Sequence, residues 1–163
     1  MRFDLAVNNF VLDLYNTGKI SVHGKNNRRP FLHIKDAVRA YQTIIQSPLE
    51  KIGGQIFNVG SDEQNYVIYD LAKEIGSTIS QNFEMEAKDT PDNRSFTASF
   101  SKIRNNLGFI PKYNVKQGAK EIYDALESKR LVYDFKMITL KWYKHILDNP
   151  QLAKEFSING KLL

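Results

Sequence analysis

The sequence has 163 residues, 42% of them hydrophobic and 25% charged, and its 23 lysines and arginines exceed its 18 acids to give a net charge of +5. These values are typical of one globular domain with a buried core. The chain has no cysteine, which excludes disulfides and thiolate metal sites. No apolar run approaches the roughly 20 residues of a membrane span.

The basic residues are interspersed with acids along the chain, and the only adjacent arginines are Arg28 and Arg29. A local anion site fits this distribution better than the continuous basic surface that binds nucleic acids. No secretory signal is recognisable at the start, so a cytoplasmic location is expected. We predict neither nucleic-acid nor membrane binding.

Taken in chain order, the hydrophobic pattern predicts a single small mixed α/β domain over residues 1–163, with a few short strands and about five or six helices. Helices are expected at residues 3–14, 36–46, 68–80, 101–106, 115–126 and 135–147. Short strands are expected at residues 19–24, 31–34, 55–59 and 83–86. On the second helix, one apolar side is expected to face the core, formed by Val38, Tyr41, Ile44 and Ile45.

Helix boundaries are predicted from residues that stop or cap helices. Gly18 is expected to end the first helix, and Asp36 to cap the second by accepting a hydrogen bond from its first amides. Ser101 and Gly108 bracket a short helix, with glycine at the C-terminal position that favours it. Asn114 is expected to cap the helix that follows.

Residues 28–36 combine two guanidinium groups with a short apolar run. Arg29 offers a planar set of donors suited to phosphate oxygens, and Pro30 favours an extended backbone at Arg29. The alternative is a surface loop that enters a buried strand. Within this segment, His33 is expected to bond the backbone, and Asp36 to act as a cap rather than as a ligand.

The order of motifs resembles a known family. Residues 29–36, R-P-F-L-H-I-K-D, resemble the R-x-[YF]-[IL]-H-[VI]-x-D signature of extended short-chain dehydrogenases/reductases, within the NAD-dependent nucleotide-sugar epimerases and dehydratases (UDP-glucose 4-epimerase-like). Residues 56–60, I-F-N-V-G, and 92–96, D-N-R-S-F, resemble further motifs of this family, and so do S-K-I at 101–103 and L-G-F at 107–109. The resemblance covers nearly the whole chain.

The resemblance implies three contacts to the phosphates and ribose of a bound nucleotide. Arg29 matches the arginine that holds the pyrophosphate, Asp92 a carboxylate that binds a ribose hydroxyl, and Arg94 a second cation. Some members place that second arginine three residues before the aspartate, where this chain has Asp89. The alternatives are that Asp92 only shapes its turn and that Arg94 only pairs with a nearby acid.

The resemblance also implies contacts to the base. Ser21 and His23 match strand positions that flank it, with His23 stacking its ring; the alternative for His23 is a solvated turn residue. Leu5, Val7 and Asn8 match the start of a helix that closes over the base and phosphates.

Two elements of that family are missing from the sequence. Its first half is a Rossmann unit whose glycine-rich turn binds the NAD pyrophosphate, but none of the nine glycines here fall at G-x-x-G-x-x-G or G-x-G-x-x-G spacing. Two Tyr-x-x-x-Lys pairs occur, and in a chain with this many tyrosines and lysines their number means little. Tyr15–Lys19 spans Gly18, and Tyr69–Lys73 lies on a later helix whose family counterpart is not catalytic. We therefore expect no catalytic residue in this chain.

The chain is therefore interpreted as the nucleotide-sugar-binding, C-terminal part of such an enzyme without its N-terminal NAD-binding domain. We expect it to bind a nucleoside-diphosphate sugar, no metal and, alone, no NAD, the cofactor of the full-length family. Its expected partners are the missing Rossmann half or a second copy. The alternative is a truncated remnant or protein-interaction module that binds no sugar nucleotide.

Overall fold

The computed structural model describes residues 1–88, 90 and 94–162. In this part of the chain the α-helices are α1 Ala6–Thr17, α2 Ile34–Ile45, α3 Leu49–Ile52, α4 Ile68–Ile79, α5 Ser101–Leu107, α6 Val115–Glu127, α7 Thr139–Leu147 and α8 Pro150–Glu155. The strands are β1 Lys19–His23, β2 Arg28–Pro30, β3 Asn65–Val67, β4 Glu84–Lys88, β5 Ser157–Ile158 and β6 Lys161–Leu162.

The predicted α/β class is confirmed, and all six predicted helices are present. The described residues form two more short helices, α3 and α8, and α8 carries the signals that start a helix. Asn149 caps it, with its side chain accepting a hydrogen bond from the Leu152 amide, and Pro150 occupies its first turn. Phe135–Met137, expected to be α-helical, forms a 3₁₀ turn before α7.

The strands pair two by two. β1 and β4 are parallel, β2 and β3 are antiparallel, and so are β5 and β6. A parallel pair requires a crossover, and α4 lies in the crossover from β1 to β4 and packs against both strands.

The main core lies between α1, α4 and α6, which pack against one another. This packing explains why α1 is apolar on more than one side: both neighbouring helices cover it. From α4 the core receives Leu71, Ala72 and Ile75, as predicted. α1 ends at Gly18, which adopts the left-handed conformation with φ of 69°.

A second, smaller cluster joins α2 to α5. Its buried members are Ala40, Phe100, Ile103 and Phe109. At its edge, residues 55–59 were expected to form a buried strand, which is wrong: none of them is assigned to a strand, and Ile56 is exposed.

The predicted strand at residues 31–34 is also wrong. The ladder with β3 covers Arg28–Pro30 instead, and Ile34 already begins α2. The cap of α2 is His33, whose Nδ1 accepts a hydrogen bond from the Lys35 amide at 3.1 Å. His33 thus bonds backbone, as expected of it.

The predicted cap Asp36 lies inside the first turn of α2 and is fully buried. Its carboxylate accepts hydrogen bonds from the amides of Lys112, at 3.0 Å, and Tyr113, at 2.8 Å, and pairs with Arg39. Burial by itself raises the pKa of this carboxyl, but the donors outweigh that effect and hold the pKa below its usual range. Asp36 therefore joins α2 to the segment before α6.

The buried side of α2 was also mispredicted. Asp36 and Ala40 face the interior, whereas Val38, Tyr41 and Ile45 are exposed and Ile44 is half-buried. At α5 the expected cap Ser101 is the first helical residue and makes no cap bond, while Gly108 ends the helix as predicted.

Candidate functional site

A cavity of about 840 Å³ lies among the start of α1, the strands β1 and β2, and the residues after β4. It is lined by Asp4, Leu5, Ala6, Asn9, Phe10, Ser21, His23, Asn27, Arg29, Pro30, Phe31, Ile68, Thr90, Arg94, Phe96, Ile138 and Lys141. Five of the eight residues that the sequence proposed for a site are therefore brought together here: Leu5, Ser21, His23, Arg29 and Arg94.

Arg29 occupies the middle of β2, opposite Tyr66 of β3. Its Nη1 donates a hydrogen bond to the Arg28 carbonyl at 2.9 Å, and its guanidinium carbon lies 4.9 Å from the centre of the Phe96 ring. Contact with the aromatic face fixes one side of the planar cation. The guanidinium is thereby held at the cavity wall.

The segment carrying Arg94 and Phe96 is tied to the outer side of β2. The Phe96 amide donates to the Arg28 carbonyl at 3.1 Å, and the Arg28 amide donates to the Ser95 hydroxyl at 2.9 Å. A little further on, Asn65 exchanges two hydrogen bonds with the backbone of Ala98, both at 3.0 Å. These bonds bring Arg29 and Arg94 to the wall of the same cavity, although they are far apart in the sequence.

Ser21 and His23 reach the cavity through the alternation of β1. Ile20 and Val22 point into the core, so the two polar residues lie on the opposite face. The Ser21 amide donates to the Asp13 carboxylate of α1 at 3.2 Å, which fixes the strand against the helix. Burial raises the pKa of that Asp13 carboxyl above its ordinary value.

The other proposed residues fall elsewhere. Val7 packs against the main core, and the Asn8 amide group donates to the Arg2 carbonyl at 2.7 Å, so neither lines the cavity. The next residue, Asn9, does line it. Asp92 lies outside the described residues.

Sequence reasoning missed several residues of the cavity wall, notably Asp4, Phe96 and Lys141. A hydrogen bond from Arg2 lowers the pKa of Asp4 to about 2, so this carboxylate is charged at neutral pH. Phe96 had a signal, since an aromatic residue two positions after Arg94 is part of the 92–96 motif. Lys141 had none: α7 brings it to the cavity from more than 100 residues beyond Arg29.

The glycine-rich turn by which the NAD pyrophosphate is bound in dinucleotide-binding domains is not among the described residues of the cavity wall. Binding the pyrophosphate at a turn requires glycines that let the backbone approach, and no glycine is among the described residues that line the cavity. Neither Tyr-x-x-x-Lys pair lines the cavity; Lys19 instead lies 3.4 Å from Glu86 of β4. Within residues 1–88, 90 and 94–162, no group of metal-binding side chains is found, and no helix is long and apolar enough to cross a membrane.

Comparisons of sequence point to one family. Residues 4–60 match the sequence model of the NAD dependent epimerase/dehydratase family. A CDP-paratose 2-epimerase from Salmonella typhi is 32% identical over 114 residues, which cover 67% of this chain and 32% of the relative. UDP-D-apiose/UDP-D-xylose synthase 2 from Arabidopsis thaliana is 31% identical over 124 residues, covering 66% of this chain and 29% of the relative. The chain spans about a third of the length of these curated relatives.

Solved structures share the fold. UDP-glucuronic acid 4-epimerase from Bacillus cereus, in complex with UDP-glucuronic acid and NAD, superposes with a TM-score of 0.66 at 18% identity, over 78% of this chain and 41% of that one. RMD from Pseudomonas aeruginosa gives a TM-score of 0.64 at 19% identity, over 79% and 44%. Residues 4–60 therefore have the sequence of the NAD-dependent epimerase/dehydratase family, and the chain as a whole is similar to its members.

Proposed function

We propose that this chain forms the nucleotide-sugar-binding portion of an NAD-dependent epimerase/dehydratase. The observation that carries the proposal is the cavity of about 840 Å³, which is lined by Arg29, Arg94 and His23 from three separate segments of the chain. Its volume is in the range of pockets that bury small organic ligands. The guanidinium groups of Arg29 and Arg94 match the charge of a nucleoside diphosphate, and the ring of His23 in the same wall offers a flat surface for its base.

Each group has a role in binding. Arg29, oriented by Phe96, binds the pyrophosphate through bidentate hydrogen bonds, and Arg94 supplies the second cation. His23 stacks on the base, and the Ser21 hydroxyl bonds its edge. Asp92, which the resemblance of the 92–96 motif implies as the ribose ligand, is proposed in that role. These residues bind and orient the substrate, and none of them is assigned a step in the chemistry.

Hydride chemistry in this family needs the nicotinamide of NAD. The sequence contains no glycine-rich turn for that cofactor, and no Tyr-x-x-x-Lys pair lines the cavity. This chain alone is therefore expected to be inactive and to bind no NAD(H). Fluorescence of NADH should remain unchanged during titration with the chain, and saturable enhancement would contradict this part of the proposal.

The experiment that tests binding uses UDP and three variants. Losing a charge-assisted pair costs about 1.5–3 kcal/mol, so Arg29→Ala should weaken UDP binding roughly ten- to a hundred-fold. Arg29→Lys should restore only part of the affinity, because lysine lacks the planar donor pair. The control is Arg28→Ala, whose side chain lies outside the cavity wall and donates to the Asn65 carbonyl at 3.4 Å. Equal UDP affinities for the two alanine variants would refute the proposed site.

A protein-interaction module is the second candidate function. The observation that favours it is the exposed apolar side of α2, which is not needed for the cavity. The alternative drawn from the sequence was a module that binds no sugar nucleotide. A contact surface on this side of α2 does not require that loss, because it shares no residue with the cavity wall.

A further inference from the structure

One cation of the cavity wall, Lys141, comes from α7. The wall also contains the Asp4 carboxylate, but its oxygens accept hydrogen bonds from Arg2 at 3.0 and 3.1 Å, so its charge is already balanced. Among the described residues, no acid forms an ion pair with Lys141. An anion bound in the cavity would therefore supply a counter-ion that the described part of the chain does not provide.

α7 belongs to a small unit late in the chain, residues 135–156, which we call the C-terminal unit. The main neighbours of α7 are α8 and the 3₁₀ turn Phe135–Met137. Within this unit, the centre of the Trp142 ring lies 6.1 Å from that of Phe135 and 5.9 Å from that of Phe156. Ile146 is buried but belongs to neither of the two core clusters. The packing of α7 is therefore largely separate from the main core.

The C-terminal unit is attached to the rest of the protein at the start of α7. The Phe3 amide donates a hydrogen bond to the Met137 carbonyl at 2.8 Å, and Met137 and Ile138 pack against the main core. Ile138 and Lys141 both line the cavity, and their spacing of three residues places them on the same side of the helix. α7 thus presents one side to the cavity from an attachment at its first residues.

We propose that a bound nucleoside diphosphate draws α7 onto the cavity through an ion pair between its pyrophosphate and Lys141, an assignment that rests on the proposed function. Binding and docking are then reciprocal: the factor by which the ion pair strengthens nucleotide binding is also the factor by which the nucleotide stabilises docked α7. For an exposed ion pair this factor reaches about five. Lys141 is in this way a specificity-determining residue, because a nucleoside without phosphates offers it no charge.

Trp142 makes the docking of α7 measurable. It is the only tryptophan of the sequence, it follows Lys141 directly, and it is not among the residues of the cavity wall, so a bound nucleotide acts on its fluorescence through α7. UDP is titrated into the native chain, Lys141→Ala and the control Lys144→Ala, which changes a lysine of the same helix outside the cavity wall. Calorimetry measures UDP affinity, while Trp142 fluorescence and hydrogen exchange of the α7 amides measure docking.

In the native chain and in Lys144→Ala, we expect a saturable change in fluorescence with the calorimetric midpoint, and exchange in α7 that is slower by up to about fivefold. Lys141→Ala saturated with UDP should show neither effect, and uridine should leave the fluorescence of the native chain unchanged.

Three results would overturn the role of Lys141 while leaving the proposed function intact. These are UDP binding without a response of α7, the same response in Lys141→Ala, and the same response to uridine. Loss of the response in Lys144→Ala as well would also overturn it, because the effect would then follow the general charge of the helix. Absence of UDP binding in calorimetry would refute the proposed function, and the inference with it.

Discussion

The Arg29 guanidinium carbon lies 4.9 Å from the centre of the Phe96 ring, and both side chains line the same cavity. A cation over an aromatic face at a partly exposed site contributes about 0.5–1 kcal/mol. Phe96→Leu keeps an apolar side chain but removes this contact, so it should weaken UDP binding about two- to fivefold in calorimetry. The double variant Phe96→Leu with Arg29→Ala should bind as Arg29→Ala does, since the ring acts through the arginine. Additive effects of the two substitutions would show that Phe96 contacts the nucleotide independently.

Lys141 is expected to add a third cation to the cavity. It lies at the cavity wall in the first turns of α7, and an exposed charge pair contributes about 0.2–1 kcal/mol. Lys141→Ala should therefore weaken UDP binding up to about fivefold, and the difference should shrink at high salt because the contact is screened. Lys144→Ala, on the same helix but outside the cavity wall, is the control and should bind UDP as the native chain does.

Asp36 should be the most sensitive polar residue for stability. Its buried carboxylate accepts hydrogen bonds from the amides of Lys112 and Tyr113 and pairs with Arg39. Asp36→Asn keeps the shape but loses the charge, and we expect the free energy of unfolding at pH 7 to fall by about 2–4 kcal/mol. Urea denaturation measures this. Asp148→Asn, at an exposed helix end, should change stability by less than about 0.5 kcal/mol.

The lowered pKa of Asp36 also predicts a dependence on pH. The folded state favours the charged carboxylate, so its contribution is fully present above the unfolded pKa of about 3.9 and is lost as pH falls through the lower folded pKa. The stability difference between the native chain and Asp36→Asn should accordingly be largest near neutral pH and shrink as the pH falls through the unfolded pKa and below it. A difference independent of pH would show that the carboxylate charge is unimportant.

Gly76 offers a test of the core in which the sign of the effect is informative. Replacing a helical glycine by alanine ordinarily stabilises a helix by about 1 kcal/mol. A Cβ at Gly76 in α4, however, would lie 2.1 Å from the Phe83 ring. Gly76→Ala should therefore destabilise the protein by about 1–3 kcal/mol. The double variant Gly76→Ala with Phe83→Leu should regain part of that loss. Thermal unfolding measures these differences, and a Gly76→Ala variant more stable than the native chain would contradict the close contact between Gly76 and the Phe83 ring.

Local signals in the sequence were sufficient for most of the helices. Asn114 forms the expected cap with Gln117, each side chain bonding the other's amide, and Gly18 and Gly108 stop their helices. Each of these interactions spans only a few residues, so a short stretch of sequence contains both partners. Asp36 was mispredicted for the opposite reason, because the amides that bind it lie 76 and 77 residues away.

The hydrophobic periodicity of α2 correctly indicated that one side of the helix is apolar. It did not indicate whether that side packs against the rest of the chain. The pattern cannot distinguish a side that packs within the chain from one that remains open, and Tyr41 and Ile45 remain open. In the candidate site, Arg29 and His23 came from a resemblance of motifs rather than from local physics. Lys141 depends on where α7 packs, a tertiary relationship with no signal in the sequence around it.

The central claim is that this cavity binds a nucleoside diphosphate. Titration of the isotopically labelled chain with UDP, followed by amide chemical shifts, tests the claim most directly because it reports both binding and place. We predict saturable shifts at Ser21, His23, Arg29 and Phe96, with little change at Asn8, which lies outside the cavity wall. Saturable shifts confined to α2 or α6, or no saturable shift at millimolar UDP, would contradict the account.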